Sequence, residues 1–290
     1  MAHIKLNVNN IKRSIHFYET LLGFKLVRKT SDGDALLSID GSDNEHYLII
    51  LSKVSDENRK VESKQSTIPR AGLFHFAILL PSRDYLANIF KHLSDNSDQF
   101  RFEGAADHLV SDSLYLRDPD SNGLEIYRDR NESEWERFEN FQVRMSTEYL
   151  DLDQLYSEGN SPKIWRMPPK TVIGHVHLHV SNLVQSKNFY SDILGLHHTC
   201  RFPRANFFAA GSYHHHIATN TWLGTNIHNA DTRFRGLNYF ALRVDAKDNF
   251  QKLEERLRLL NKSEAKNENE VSKNSIPIQD PDKINIQIYH

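Results

Sequence analysis

The sequence predicts an α+β fold of four βαβββ modules arranged as two barrel-like halves. Three observations predict it. A segment near the start recurs 172 residues later, two later segments both close on Asp-Pro-Asp followed by a strand, and each repeat changes its hydrophobic period from 2 to about 3.6 partway along.

The first repeat aligns HIKLNVNNIKRSIHFYETLLG (3–23) with HVHLHVSNLVQSKNFYSDILG (175–195) without a gap. Identities fall at His3/His175, Leu6/Leu178, Val8/Val180, Asn10/Asn182, Ser14/Ser186, Phe17/Phe189, Tyr18/Tyr190, Leu22/Leu194 and Gly23/Gly195. Alternation up to Val8 or Val180 reads as a strand, and Asn10 or Asn182 stands where a helix N-cap belongs. Ile11, Ile15, Tyr18 and Leu22 then follow helical spacing, with Gly23 at a left-handed C-cap. The second repeat opens with GLFHFAILL (72–80) and GLNYFALRV (236–244) and closes with DPDSNGLEIY (118–127) and DPDKINIQIY (280–289). Proline fixes φ and the flanking carboxylates bond nearby backbone donors, so Asp-Pro-Asp makes a tight turn before alternating Leu124 and Ile126, or Ile286 and Ile288.

The modules therefore run 1–55, 70–130, 172–225 and 234–290, each one strand, one helix and about three more strands. A sheet this small cannot bury its concave face alone, so modules must pair. Between them, 131–171 carries Trp135, Phe138, Phe141 and Tyr149 at loosely helical spacing and is predicted to be a helical connector ended by Pro162, Pro168 and Pro169. The polar stretch 261–275 reads as a surface loop inside the fourth module.

Composition narrows the function. Thirty-six Lys and Arg against 38 Asp and Glu give a net charge of -2, which offers nucleic acid or an anionic membrane no basic field. No apolar run approaches the ~20 residues of a spanning helix, and the first residues lack a signal peptide's apolar core, so a cytoplasmic location is expected. The single cysteine, Cys200, excludes an internal disulfide and any all-thiolate metal site. Histidine, with 16 copies, half of them between 175 and 216, directs attention to metal chemistry.

With GHVHLHVSNLVQSKNFYSDILGL (174–196) as opening motif and LYLRDPDSNGLEIY (114–127) as closing motif, nearly the whole chain resembles the vicinal oxygen chelate superfamily of glyoxalases, fosfomycin- and bleomycin-resistance proteins and extradiol dioxygenases. Four modules and the His-rich YHHHIATNTW (213–222) look most like the catechol 2,3-dioxygenase subfamily. That resemblance implies one Fe(II), with Mn(II) as an alternative, held by first-strand histidines of two paired modules and a last-strand glutamate. Position by position, the second module keeps His75 and Glu125, where the fourth has Tyr239 and Gln287. Either alone reads as an ordinary core histidine or exposed strand glutamate; together, at repeat-equivalent positions, they favour a metal role.

The third ligand is His175 or His3. Three observations favour His175. His175, His177 and His179 share one strand face while Val176, Leu178 and Val180 share the other. The module of His175 also supplies YHHHIA, where the first module has HYLIIL (46–51), and the resemblance takes an acid–base histidine from that strand. His3, finally, lies near a terminus prone to fray. Choosing His175 pairs the second module with the third and the first with the fourth, rather than the first with the second. It also departs from the usual family order, in which the third and fourth modules hold the metal.

By the same resemblance His215 is the acid–base histidine, Tyr115 contacts a substrate oxygen and His108 lies near another substrate contact. His214 and His216 alternate faces with His215, and a shift of one residue in register exchanges them. Bland readings cover the rest: a polar sheet face for His177 and His179, structural or exposed positions for His3, His46, His197 and His198, packing for Trp165 and Trp222. Phe17, Tyr18, Phe189 and Tyr190 belong to the core. The resemblance thus implies an iron-dependent oxidoreductase of aromatic catabolism that cleaves catechol or a substituted catechol with dioxygen to a 2-hydroxymuconic semialdehyde. The sequence leaves open the ring substituents, iron against manganese, and whether copies of the chain assemble. A glyoxalase-like isomerase or thiol transferase is the enzymatic rival, weakened because such sites need a second carboxylate where the third module has His. A barrel that sequesters an aromatic drug without chemistry is the other.

Overall fold

The computed structural model describes residues 1–290 except 43–46, 66–67, 140–141, 161, 163 and 262–274. The first module contains β1 (Ile4–Val8), α1 (Ile11–His16) prolonged by a π-helical turn (Phe17–Leu21), β2 (Lys25–Lys29), β3 (Ala35–Ser38) and β4 (Ile49–Lys53). A helix α2 (Asp56–Gln65) leads to β5 (Gly72–Leu80), α3 (Arg83–Ser94), β6 (Arg101–Asp107), β7 (Ser111–Arg117) and β8 (Gly123–Asp129). After α4 (Leu152–Glu158) come β9 (Val172–His179), α5 (Leu183–Lys187) with its π-helical turn (Asn188–Ile193), β10 (His197–Phe202), β11 (Ala205–Ala209) and β12 (Ile217–Asn220). The chain closes with β13 (Gly236–Arg243), α6 (Lys247–Asn261), β14 (Ser275–Gln279) and β15 (Asn285–Tyr289). Among the described residues the fourth module has two strands after its helix rather than three. The predicted loop 261–275 lies outside the described residues apart from its two ends.

Local signals act where the sequence puts them. The Asn10 carboxamide accepts from Arg13 N at 3.2 Å, and that of Asn182 accepts from Val184 N and Gln185 N at 2.9 and 3.1 Å. Gly23 and Gly195 adopt φ of 83° and 81°, the left-handed conformation that ends each helix.

Two sheets result. One runs β10-β11-β12-β9-β5-β8-β7-β6 and the other β14-β15-β13-β1-β4-β3-β2. In the first, β5 and β9 meet antiparallel at the centre, with His75 opposite His177 and Ala77 opposite His175. In the second, β1 and β13 meet in the same way. Neither sheet closes into a barrel, because each keeps two edge strands. They are curled sheets, and their apolar faces and helices form one continuous core in which Val176, Leu178 and Val180 are fully buried.

The segment 131–171 departs from the expected helical connector. Among its described residues helix is confined to a 3₁₀ turn (Glu132–Glu134) and α4. Trp135 is buried, Phe138 and Tyr149 are exposed, and Phe141 lies outside the described residues. The reason lies in its backbone bonds, which go to sheet edges. Val143 N donates to Thr199 O of β10, and Glu148 exchanges hydrogen bonds with Asp107 of β6 at 2.8 and 3.1 Å. Those are the opposite edges of the eight-stranded sheet, and the few residues between 143 and 148 span at most ~18 Å. This strap therefore bridges the two edges across the mouth of the curl.

Candidate metal centre and cavity

The central antiparallel pair and the period of two decide which side chains meet. His75 faces the same side as its cross-strand partner His177, and Glu125 lies opposite Ala77 on β8, in register with Tyr115 on β7. His75 Nε2 and His175 Nε2 each lie 3.0 Å from Glu125 Oε2. One ligand atom from each of the three residues lies within 4.8 Å of the others, and all three side chains are buried. Among the described residues this is the one such cluster. His3 belongs to the other sheet, where its Nε2 meets Tyr239 Oη at 3.1 Å. His46 lies outside the described residues.

The donor set fits a divalent cation. His75 is 3.0 Å from the carboxylate, yet neither of its ring nitrogens makes a hydrogen bond of proper geometry, and His175 Nδ1 also lacks a partner. Buried polar atoms are ordinarily satisfied, so His75 Nε2, which faces the carboxylate without a properly formed hydrogen bond, suits a lone pair directed at an ion. Burial opposes ionisation of Glu125, but the imidazoles of His175 and His75 beside it hold its carboxyl well below the usual range. Burial lowers the His75 imidazole, keeping it neutral despite Glu125. A cation held by two imidazoles and one carboxylate would keep coordination positions for further ligands. Ser113 Oγ donates to Glu125 Oε1 at 2.6 Å and orients the carboxylate.

These residues line a cavity of about 470 Å³. His215 lines it, its ring 4.1 Å from that of His175. Tyr115 and His108 also line it and bond to each other, His108 Nε2 to Tyr115 Oη, at 2.6 Å. His108 Nδ1 lies 2.6 Å from Ser146 O, which can only accept, so a neutral His108 carries its proton on Nδ1. Tyr115 must then donate to His108 Nε2, and its oxygen presents lone pairs to the cavity. Burial pushes the Tyr115 hydroxyl well above its ordinary pKa, with Glu125 adding to the effect.

One bland reading changes here. Trp222, expected as packing, lines the cavity together with Phe74 and Phe207, while His177, on the polar face of β9, is a buried part of the same wall. Trp165 does pack, its Nε1–H bonded to Leu22 O at 2.9 Å. His179 sits outside this cavity, with Nδ1 2.8 Å from Asn220 Oδ1, and His216 Nδ1 accepts from Ala210 N. Sequence reasoning missed Ser113, two residues from Tyr115 on the same face, which the strand period could have identified. It also missed Asp129 and Tyr213, which reach the site through His214 and Tyr127 and carry no local signal.

A family model for the Glyoxalase/Bleomycin resistance protein/Dioxygenase superfamily matches residues 1–126 and 172–288. A catechol-2,3-dioxygenase of Bacillus subtilis (strain 168) is 37% identical over 244 residues, covering 83% of this chain and 81% of that protein. Among solved structures, a protein from Bacillus subtilis subsp. subtilis str. 168 superposes with a TM-score of 0.63 at 13% identity, covering 100% of this chain and 84% of the other. Glyoxalase I from Zea mays superposes with a TM-score of 0.53 at 15% identity, covering 100% and 91%. At those identities the superpositions speak for the fold, while the family match spans both halves of the chain. The chain belongs to the Glyoxalase/Bleomycin resistance protein/Dioxygenase superfamily.

Proposed function

We propose that the protein is an Fe(II)-dependent extradiol dioxygenase that opens the ring of catechol or a substituted catechol to a 2-hydroxymuconic semialdehyde. The observation that carries this reading is the convergence of His75, Glu125 and His175 at the wall of a cavity that also contains His215 and Tyr115. The 37% identical relative named for catechol cleavage supports it. His75, Glu125 and His175 would hold Fe(II), which when bound would supply an anchor for the catecholate and a path for electrons from the ring to dioxygen.

The chain's own residues do the rest. Phe74, Phe207 and Trp222 offer apolar surface to a flat ring and keep water from its faces. Tyr115 Oη, its proton committed to His108, accepts a hydrogen bond from a substrate hydroxyl and fixes the diol's orientation. His215 takes a hydroxyl proton at the ring nitrogen facing the cavity and returns it as the ring opens. The hydrocarbon walls favour simple or alkyl-substituted catechols.

The test loads the protein with Fe(II) anaerobically and then admits catechol and air. A yellow ring-fission product formed with matching oxygen uptake is the expected result. If no simple catechol gives colour or oxygen uptake, the reading fails.

A further inference from the structure

Beside the cavity, a chain of hydrogen bonds runs away from His215 into the protein. His215 Nδ1 lies 2.7 Å from His214 Nδ1, and His214 Nε2 lies 2.9 Å from Asp129 Oδ1. Tyr213 Oη donates to Asp129 Oδ2 at 2.8 Å and lies 2.9 Å from Tyr127 Oη. His214 is fully buried, walled by the rings of Tyr213 and Trp135 at 4.1 and 5.2 Å. Thr199 Oγ1 donates to its backbone carbonyl and pins it in place.

The donors and acceptors fix one another in turn. A carboxylate can only accept, so His214 carries its proton on Nε2, and its Nδ1, in a neutral ring, is a bare lone pair. With His214 neutral, two lone pairs cannot face each other at 2.7 Å, and the proton between the rings sits on His215 Nδ1. The free lone pair of His215 is then Nε2, on a ring that lines the cavity. We propose that Asp129 and His214 are positioning residues that hold His215 as its Nδ1–H tautomer, with Nε2 ready to accept a substrate proton. Its chemical purpose rests on the ring-cleavage reading; its geometry does not.

Asp129→Asn makes the sharpest test. An asparagine at this place satisfies both neighbours by accepting from Tyr213 and donating from Nδ2 to His214 Nε2. The chain then reverses: His214 donates from Nδ1, and His215 is protonated on Nε2. The experiment records long-range proton–nitrogen spectra of the ¹⁵N-labelled full chain before metal loading, with His215→Gln identifying the His215 signals. The expected result is a protonated Nδ1 and unprotonated Nε2 at His215 in the wild type, exchanged in Asp129→Asn. A wild-type His215 protonated on Nε2, or the same tautomer in both proteins, overturns the proposal.

If Asp129→Asn does not fold, His214→Phe keeps the ring and cuts the chain. The His215 Nδ1–H signal should then be lost to exchange with water, and its persistence unchanged would overturn the proposal. In the iron-loaded protein, Asp129→Asn should lower kcat about 100-fold at unchanged iron content. A tautomer exchange in a protein that cleaves no catechol leaves this inference standing and removes the ring-cleavage reading instead.

Discussion

His3 and His175 occupy equivalent places in the repeat, and their surroundings give them different chemistry. His175 faces a carboxylate, whereas His3 faces Tyr239 and lies among the rings of Tyr47, Tyr239 and Tyr289, 4.9 to 5.6 Å away. Burial lowers the His3 pKa from 6.5 to about 4. A group whose folded pKa is depressed in this way binds its proton more tightly when unfolded. The stability tied to neutral His3 is therefore complete above pH 6.5 and declines as pH falls towards 4, by ~3 kcal/mol at pH 4. His3→Phe keeps a ring there and removes the titration. The stability advantage of wild type over His3→Phe, measured by urea unfolding, should shrink by about that amount between pH 7 and pH 4; a difference that does not change with pH contradicts the assignment. The contrast with His175 was legible in part, because Gln287 stands where the other half has Glu125. The Asp129–His214 pair was not legible, since its partners are 85 residues apart and neither lies in a repeated motif.

At the scale of elements, strands β8 and β9 communicate across β5 through a single absence of side chain. A Cβ on Gly174 would lie 1.8 Å from Tyr127 Oη, so only glycine lets this hydroxyl reach Tyr213 while its ring covers His175 at 4.9 Å. Gly174→Ala should cost ~1–3 kcal/mol through forced displacement. Tyr127→Phe in that background should restore part of the loss, because it removes the colliding oxygen. Strictly additive effects in a double-mutant cycle would show that the two residues do not collide. Helix boundaries could be read from the sequence since Asn10, Asn182, Gly23 and Gly195 act on their own neighbours. The strap could not, because its form is dictated by Thr199 and Asp107, the edges of a sheet whose curl does not exist until distant strands pair. Aromatic residues at loosely helical spacing therefore misread as helix. Trp135 instead covers His214, and Met145, Ser146 and Thr147 line the cavity.

For the whole molecule, the modules are joined in two ways. Sheets unite the second module with the third and the first with the fourth. Helices and Asp-Pro-Asp turns unite the first with the second and the third with the fourth: Tyr18 Oη donates to Asp118 Oδ2, and Tyr190 Oη to Asp280 Oδ2, each at 3.0 Å. The repeated tyrosines, expected as core residues, thus also lock one half to the other. No described helix is long and apolar enough to cross a membrane. Among the described residues the four modules hold one cluster that could bind a metal ion, and the pseudo-equivalent place in the second sheet holds His3, Tyr239 and Gln287 instead. Metal content after anaerobic loading with Fe(II), compared for the wild type, His3→Ala and His175→Ala, tests this most directly. One ion per chain in the wild type and in His3→Ala, with none retained by His175→Ala, is the predicted result; loss of iron from His3→Ala, or its full retention by His175→Ala, would contradict it.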